Sequence, residues 1–436
     1  MIATIIISVV TFLSIIISLF LFPKIRIGKI NISTYWIIAL TGAVILLIFS
    51  FAPIGEFYKQ LTANTKVNPI KILVLFFSMT LLSVFLDEFG LFKYLANKAA
   101  KNAKGNQYLL FFSFYALVAV LTIFTSNDVV ILTFTPFICF FCKRSNINPL
   151  PYLIGEFAAA NTWSLMLIIG NPTNIFLATS ANIDFVSYIK VMALPTVGAG
   201  LIQLGIIFLL FRRKLKEKIQ VEHEEEKDLI SNKVLLIVGV IHLALCLVFL
   251  VIASYINIEM WLVSLICAAS LFLFTTMMAI IRKENWGYVT TGLKRLPYPL
   301  IPFFLSMFVI VVAFNYQGIS LEIAKLFGNQ NVIWIYGYSS YLMSNVINNI
   351  PMSILYSQLV NHLEPINYIP ATYASIIGSN TGAFLTPMGA LAGIMFTNLL
   401  SKYEVKFSFL DFMKYGAIIS IPTISVALGI LYLMFI

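Results

Sequence analysis

Two short polar segments interrupt long apolar runs, one in each half of the chain. Residues 125–128 are Thr-Ser-Asn-Asp, and residues 344–349 are Ser-Asn-Val-Ile-Asn-Asn. Such interruptions free backbone carbonyls, which can bind a cation, and helix N-termini, which can hold an anion or a polarised oxygen. The pattern therefore predicts that both segments bind a small solute or ion.

A second pair of polar segments follows at the same spacing. Asn161 and Thr162 lead on to residues 170–174 (Gly-Asn-Pro-Thr-Asn), and residues 380–382 (Asn-Thr-Gly) lead on to 386–389 (Thr-Pro-Met-Gly). The first pair of segments is 218 residues apart and the second pair 219. A constant offset across half of the chain indicates an internal repeat, and matched interruptions in two apolar halves are typical of a transport site.

Composition places the chain in a membrane. Of its 436 residues, 60% are hydrophobic and 11% are charged, and the mean hydropathy is +0.95. Unbroken apolar runs such as 2–22 and 234–253 indicate spanning helices rather than the alternating strands of a barrel. The first run has no basic residue before it and is interpreted as an uncleaved span. The net charge of +10 does not indicate a nucleic-acid partner, because the basic residues lie in short loops beside apolar spans.

The loops assign a side of the membrane to each apolar segment. If residues 107–142 form a hairpin that enters and leaves on one side, 23 of the 28 Lys and Arg residues fall in loops on that side. The positive-inside rule then makes this side cytoplasmic and places the N-terminus outside. The same logic makes residues 332–360 a hairpin that enters from the outside.

The predicted fold is an all-α polytopic membrane protein with about 11 transmembrane helices and two opposed re-entrant hairpins. Residues 1–33 form an N-terminal extra helix, 34–211 the first repeat, 212–259 a cytoplasmic linker with a further helix, and 260–436 the second repeat. Because the two hairpins enter from opposite sides, the repeat has inverted topology. The predicted environment is the lipid bilayer of the cytoplasmic (inner) membrane.

The predicted binding site consists of the polar residues at both hairpin tips and both helix breaks. Two tips and two breaks that meet near the midplane would form one central site, whereas a single polar residue in a span could form only an interhelical hydrogen bond. The predicted substrate- and ion-binding residues are Ser126, Asn127, Asp128, Asn161, Thr162, Gly170, Asn171, Thr173, Asn174, Ser344, Asn345, Asn348, Asn349, Asn380, Thr381 and Thr386.

Two acidic residues are candidates for coupling transport to an ion gradient. Asp128 follows the first tip with no Lys or Arg within nine residues, and an acid at membrane depth is costly and usually functional. It is predicted to carry a proton or to bind Na⁺; the alternative is a cap on the helix that returns from the tip. Glu156 is the second candidate. H⁺ or Na⁺ is thus the predicted coupling ion, and no cofactor is expected.

Other chemistries have little support in the sequence. Cys139 and Cys142 share a helix face and could bind a thiophilic solute or serve as small apolar residues. The three His residues are scattered, no metal-ligand cluster is present, and no nucleophile motif has a base beside it, which disfavours an enzyme. The chain has no Gly-rich phosphate loop, so an ATP-driven pump would need a separate ATPase subunit.

The motifs resemble the ArsB-type arsenite permeases of the ion transporter superfamily, which also contains divalent anion/sodium symporters and NhaD-type sodium/proton antiporters. The resemblance covers nearly the whole chain. It rests on Pro136 and on the segments 126–128, 148–152, 160–162, 170–174, 344–351 and 386–389.

The resemblance implies a scaffold domain, a mobile transport domain, elevator-type alternating access and a homodimer. For the arsenite branch it implies export of arsenite or antimonite in exchange for protons. Residues 171–174 are Asn-Pro-Thr-Asn, whereas the sodium/proton branch tends to have Asp-Pro-Pro-Asn, which disfavours that branch. The tips are Ser-Asn-Asp and Ser-Asn-Val, whereas carboxylate symporters tend to have Ser-Asn-Thr at both, which weakens a dicarboxylate or citrate assignment.

The function predicted from the sequence is secondary active transport of a small oxyanion or metalloid. Export of arsenite or antimonite coupled to protons is the first hypothesis. Na⁺-coupled transport of a di- or tricarboxylate is the alternative within the superfamily, and a passive ion channel is the alternative outside it. Broken hairpins also occur in channels, but an inverted repeat that meets at one site suits alternating access better.

Overall fold

The computed structural model describes residues 1–22, 24–27, 30–64, 68–216, 230–256, 258–282 and 287–436. The apolar runs form helices, because a helix satisfies its own backbone groups and a bilayer core offers no water to do so. The predicted linker falls partly on residues 217–229, which lie outside the described residues.

The first half of the chain begins with α1 (Ile2–Leu21) and a β-hairpin of β1 (Lys24–Ile27) and β2 (Ile30–Ser33). Its further helices are α2 (Thr34–Ile48), α3 (Ile54–Thr62), α4 (Pro69–Glu88), α5 (Leu91–Asn102), α6 (Gln107–Phe124), α7 (Asn127–Arg144), α8 (Leu150–Trp163), a 3-10 turn (Ile168–Gly170), α9 (Pro172–Ser180) and α10 (Phe185–Phe211).

The second half contains α11 (Lys233–Ile256), α12 (Met260–Ile281), α13 (Gly287–Lys294), α14 (Leu300–Tyr316), α15 (Ile319–Phe327), α16 (Val332–Ile347), α17 (Asn349–Val360), α18 (Pro365–Gly382), α19 (Leu391–Lys402) and α20 (Phe409–Phe435). The strands correct one detail of the all-α prediction. Residues 1–33 were expected as an extra helix, whereas β1 and β2 follow α1 and pair antiparallel with Lys24 opposite Ser33.

The order of elements in residues 34–211 recurs in residues 260–436. In both, a long and a short helix (α2–α3, α12–α13) lead to a second helix pair (α4–α5, α14–α15) and then to a hairpin (α6–α7, α16–α17). A helix that breaks midway (α8–α9, α18–α19) and a long final helix (α10, α20) complete each half. This order is what an internal repeat predicts; the domain bounds themselves stay a prediction.

The first arm of the first hairpin runs parallel to the broken helix that follows it. Near the start of both helices, Tyr152 of α8 donates a hydrogen bond to Gln107 of α6. Further along both, Trp163 of α8 donates to Tyr115 of α6 at 3.3 Å. The two contacts advance in the same direction along α6 and α8.

The second arm of this hairpin runs the opposite way. Asn127, at the start of α7, contacts Asn161 near the end of α8. Thr135, two turns further along α7, contacts Glu156, which lies earlier in α8. Since α6 is parallel and α7 antiparallel to α8, residues 107–144 form a hairpin whose tip lies beside the end of α8.

The two halves are oriented in opposite directions. The equivalent final helices α10 and α20 pack against each other antiparallel. Phe211, at the end of α10, contacts Tyr415, near the start of α20, with ring centroids 5.3 Å apart. Gly198, earlier in α10, lies against Ile430, near the end of α20. Equivalent helices that run antiparallel are what an inverted-topology repeat produces, and the predicted fold class is confirmed.

By length and composition, six helices of the described residues could each cross a membrane, or up to seven if the bent pair α14–α15 counts as one span. These six helices are α4, α6, α10, α11, α12 and α20. The predicted number of about 11 also counts shorter and broken helices, such as α1, α2 and α8–α9. The hairpin arm α6 is counted among the six because its 18 residues, at about 1.5 Å per residue, cover about 27 Å.

The second hairpin tip lies four residues later than the repeat offset predicts. Helix α16 continues through Ser344, and the chain reverses at Asn348, whose φ is +71°. Asn348 is the N-cap of α17, as Ser126 is the N-cap of α7, so these two residues are the structural counterparts. The counterpart of Asp128 is then Ile350, which confines the carboxyl to one hairpin.

Small residues allow α16 and α18 to pack closely. A Cβ on Gly378 would collide with the side chain of Ser340 and with the carbonyl of Gly337, both in α16. Close packing of small residues is a main source of helix association in membranes, where lipid tails remove the hydrophobic driving force. The first arm of the second hairpin, α16, therefore packs directly against the broken helix α18.

Replacing Gly378 by Ala should destabilise the protein by about 1–3 kcal/mol, because the added methyl group meets backbone that cannot move aside. Thermal unfolding of the purified protein in detergent measures the loss. Gly205→Ala is the matched control, since nothing lies within 4 Å of a Cβ at that helical position. Equal melting temperatures for the two variants would contradict the packing argument.

Candidate functional site

Asn380 connects the two halves of the molecule at the predicted helix breaks. Its Oδ1 accepts hydrogen bonds from Ser164 Oγ at 2.9 Å and from Asn171 Nδ2 at 2.9 Å. Its Nδ2 donates to Asn174 Oδ1 at 2.6 Å and to the carbonyl of Ile376 at 2.9 Å. An amide side chain has two donor hydrogens and two lone pairs, so Asn380 uses all of its hydrogen-bonding capacity here.

The other residues of the first break satisfy backbone groups. Asn171 caps α9 by accepting from the backbone N–H of Thr173 at 3.1 Å. Asn174 donates to the carbonyls of Ser164 at 2.8 Å and of Leu167 at 3.3 Å. These backbone N–H and carbonyl groups have no partner within a helix, because the helix is interrupted between α8 and α9. The asparagine side chains supply the missing partners.

The second break is bound to the second hairpin tip in the same manner. Asn345 donates to the carbonyl of Gly382 at 3.1 Å and accepts from Thr386 Oγ1 at 2.7 Å. Asn348 donates to the carbonyl of Met388 at 3.1 Å. A backbone hydrogen bond from Asn349 to the carbonyl of Gly389 completes this set.

Glycines let each break fold back on the end of the preceding helix. A Cβ on Gly170 would collide with the carbonyl of Ser164, and one on Gly389 would lie 2.5 Å from the carbonyl of Gly382. The two glycines are equivalent in the repeat, and both are needed because backbone packs against backbone. Gly170 thus shapes the site without offering a side chain to a ligand.

The first hairpin tip differs because it retains unpaired polar atoms. Asn161 donates to the carbonyl of Phe157, so its Oδ1 faces Asn127, whose Nδ2 donates to it at 3.3 Å. Asn127 Oδ1 and Ser126 Oγ are buried and have no hydrogen-bond partner. An unpaired buried polar atom calls for an explanation, and a bound ion, solute or water is one explanation.

Asp128 points away from the asparagines and lines a cavity of about 550 Å³. The cavity lies between two groups of helices: Tyr35 of α2 and Phe76 of α4 line one side, and Asp128 of α7 with Ile394 of α19 line the other. The predicted cluster of site residues is thus divided, since the tip presents Asn127 to the break in α8–α9 and Asp128 to the cavity.

Three basic residues from separate parts of the chain also line this cavity: Lys24, Arg295 and Lys402. They come from loops that the distribution of Lys and Arg assigned to one side of the membrane. Their meeting at one cavity agrees with that assignment. The cavity therefore carries three basic groups beside the carboxyl of Asp128.

A family model for citrate transporters, CitMHS, matches residues 17–378. The chain belongs to the CitMHS family. The arsenical pump membrane protein of Escherichia coli is 23% identical over 372 residues, which cover 82% of this chain and 85% of that protein. The arsenical pump membrane protein of Yersinia enterocolitica is 26% identical over 375 residues, with the same coverage of both chains.

Among solved structures, the Alcanivorax borkumensis YdaH transporter, described as having an unusual topology, has a TM-score of 0.54 at 14% identity. The match covers 100% of this chain and 97% of that one. The resemblance to ArsB-type permeases is therefore confirmed, and this CitMHS protein is a multi-pass membrane transporter.

The second predicted coupling residue of this CitMHS protein lies apart from the cavity. Glu156 is 1% exposed, and Thr135 Oγ1 lies 3.0 Å and 3.1 Å from its two carboxyl oxygens. A hydroxyl has one hydrogen and can donate to only one of them. Cys139 and Cys142 lie in the same apolar core between α6, α7 and α8.

The remaining predicted residues are buried and hydrogen-bonded. Thr173 donates a hydrogen bond to Asn171 Oδ1, and Thr381 donates one to the carbonyl of Ile377. Ser344 donates to the carbonyl of Tyr341. Among the residues that the structure describes, no group of three or more His, Cys, Asp or Glu side chains could hold a metal ion.

Sequence reasoning missed a polar chain beside the first break. Gln203 of α10 donates to Thr162 Oγ1 at 2.6 Å, and its Oε1 accepts from Tyr115 at 2.9 Å. It also missed Ser379, whose buried Oγ has no partner. The signal for Ser379 was its position directly before Asn380, whereas Gln203 lies alone in an apolar helix and gave no pattern.

The hydrogen bonds of Asn380 and Asn161 predict that Asn380→Ala destabilises the protein more than Asn161→Ala, the change at the equivalent position of the other half. Loss of Asn380 leaves Asn171 Nδ2 and Asn174 Oδ1 without partners, whereas loss of Asn161 orphans only Asn127 Nδ2. Each orphaned buried group costs about 1–3 kcal/mol. Thermal unfolding in detergent should therefore give the lower melting temperature for Asn380→Ala, and the reverse order would show that the network is not continuous.

Proposed function

We propose that this protein exports arsenite or antimonite from the cell in exchange for protons, by elevator-type alternating access. Support comes from the similarity to arsenical pump membrane proteins over 82% of the chain. Further support comes from the inverted repeat, whose two helix breaks meet at Asn380. The transporter would lie in the cytoplasmic membrane as a homodimer, with its N-terminus outside and its basic loops inside.

The observation that carries this proposal is the pair of unpaired oxygens at the first hairpin tip. Asn127 Oδ1 can only accept a hydrogen bond, and Ser126 Oγ can accept or donate one. Undissociated arsenite carries three hydroxyl groups and can donate to both. A carboxylate group cannot donate, so beside one Asn127 Oδ1 would need another partner, such as a bound cation, a water or a hydroxyl elsewhere on the solute.

Asp128 is proposed to carry the coupling proton. It lies one residue after the tip, and it faces the cavity rather than the closed network of asparagines. A group that binds and releases protons during transport must be reached from an aqueous space, and a cavity-facing carboxyl meets this need. Glu156 is sealed in the core beside Thr135, which makes it the second candidate.

Na⁺-coupled transport of a small carboxylate is the second candidate function. The family description, citrate transporter, favours it. Lys24 and Lys402 also favour it, because their charges at the cavity would attract an anion. In this case Asn127 Oδ1 and Ser126 Oγ would bind Na⁺ rather than the solute.

The test is transport into everted membrane vesicles that contain the overproduced protein. Radiolabelled arsenite should accumulate when a proton gradient is imposed, should saturate, and should be lost on addition of a protonophore. Citrate and succinate, with and without a Na⁺ gradient, are measured beside it. Na⁺-dependent carboxylate movement without arsenite movement would overturn the proposal in favour of the second candidate. Flux that neither saturates nor needs a gradient would indicate a channel, and a requirement for added ATP would indicate an ATPase subunit.

Asp128→Asn should lower proton-coupled accumulation of arsenite at least about tenfold, while the melting temperature of the protein stays unchanged. The amide has nearly the shape of the carboxyl but cannot carry a proton between the two sides. Asp411→Asn is the control, because Asp411 is an exposed residue that caps α20 with Ser408. Wild-type accumulation by Asp128→Asn would assign the coupling elsewhere, and Glu156→Gln would be measured next.

A further inference from the structure

Arg295 binds two consecutive acids at the end of α4. Its Nη2 lies 2.6 Å from Asp87 Oδ2, and its Nη1 lies 2.6 Å from Glu88 Oε1. The side chains of Asp87 and Glu88 are only 6% and 16% exposed. Ion pairs with so little exposure are screened far less than surface pairs, so this contact is a strong one.

The position of the two acids explains why they need a cation. Both are in the last turn of α4, where the helix dipole is negative and a carboxylate is unfavourable. Asp87 Oδ1 is buried and has no partner, so one oxygen of this carboxylate already lacks compensation. Arg295, which lies between α13 and α14, supplies the charge that holds the two acids in place.

Thr133 connects the first hairpin to these ion pairs. Its Oγ1 donates to Asp87 Oδ2 at 2.8 Å and lies 3.4 Å from Arg295 Nη2. Thr133 belongs to α7, the returning arm of the hairpin, five residues after Asp128. The Thr133 hydroxyl therefore joins the arm that carries Asp128 to the ion pairs between α4 and the start of α14, beside the apolar contacts of α7 with α4 and α5.

The link lies beside the cavity that separates the two groups of helices. Arg295, Asp128 and Leu132 all line that cavity, and Thr133 is the residue next to Leu132. A contact that crosses the cleft at this point must break if α7 moves relative to α4.

We propose that the Thr133–Asp87–Arg295 contact is a latch that holds the first hairpin against α4 in the arrangement seen here, with the cavity open. The proposal rests on the proposed function in one respect, since it takes the hairpin to belong to the part that moves. The latch stabilises one end state, and its rupture is part of each passage to the other. Thr133 is a positioning residue, because it acts on the hairpin and does not touch the solute.

The chain offers a variant that opens the latch without removing a charge. Thr133→Val keeps the size and branching of the side chain and removes only the hydroxyl, while Asp87 keeps its ion pair with Arg295. A hydrogen bond to a charged group corresponds to roughly a tenfold change or more in an equilibrium. The population with an open cavity should therefore fall by about tenfold relative to the other end state.

Labelling of a single introduced cysteine measures this population. Ile394→Cys places a thiol on α19 at the cavity wall, and the native cysteines of the described residues are buried. In detergent-solubilised protein, the rate of reaction with a maleimide reports whether the cavity is open. Thr133→Val should slow this reaction by up to about tenfold, whereas Thr133→Ser, which keeps a hydroxyl, should react at the unmodified rate.

Thr275→Val is the matched control, because its buried hydroxyl bonds only to the carbonyl of Leu271 in its own helix. The latch is overturned if Thr133→Val labels as fast as the unmodified background, if Thr133→Ser is as slow as Thr133→Val, or if Thr275→Val produces the same slowing. Labelling needs no transported solute, so its result is independent of whether arsenite or a carboxylate is carried.

Discussion

The structure depends on one constraint: backbone groups freed where a helix breaks inside a membrane must find partners within the protein. Two helices break here, between α8 and α9 and between α18 and α19, and asparagines supply the partners. Asn174 binds the freed carbonyls of Ser164 and Leu167, and Asn345 binds the carbonyl of Gly382. Without these side chains each break would leave orphaned carbonyls at a cost of several kcal/mol, by the order-of-magnitude figure for an unpaired group in lipid.

This constraint limits what the polar residues can do for a ligand. An asparagine whose four hydrogen-bonding positions are filled, as in Asn380, has none left for a solute. Unpaired oxygens remain at the first tip, in Ser126 and Asn127, and beside the second break, in Ser379. The second tip is fully engaged with its own break through Asn345 and Asn348. The two halves thus share a backbone design, while the hydrogen bonding of their hairpin tips differs.

Much of this was readable from the sequence, because the same constraint leaves marks in it. Polar residues, Pro and Gly in the middle of apolar runs are tolerated only at breaks, so the 219-residue offset located both breaks correctly. The second tip was misplaced by four residues, because Ser344 in the last turns of α16 and Ser126 at an N-cap look alike in sequence. Side-chain direction was not readable either. Asn127 and Asp128 are neighbours, but on a helix they point about 100° apart, and only packing decides which one meets the break.

The different surroundings of Asn127 and Asp128 agree with the cost of burying charge. A carboxylate placed among the asparagines would meet acceptors such as Asn127 Oδ1 and no cation, and a buried uncompensated charge costs far more than a buried amide. On the cavity side the same carboxyl faces a space that can hold ions and water, beside basic residues from three loops. Arg295 is prevented from reaching across to Asp128 as a permanent partner, because Asp87 and Glu88 already occupy its guanidinium. In the proposed function, the acid on the hairpin is the group that binds and releases the coupling proton or cation at this cleft.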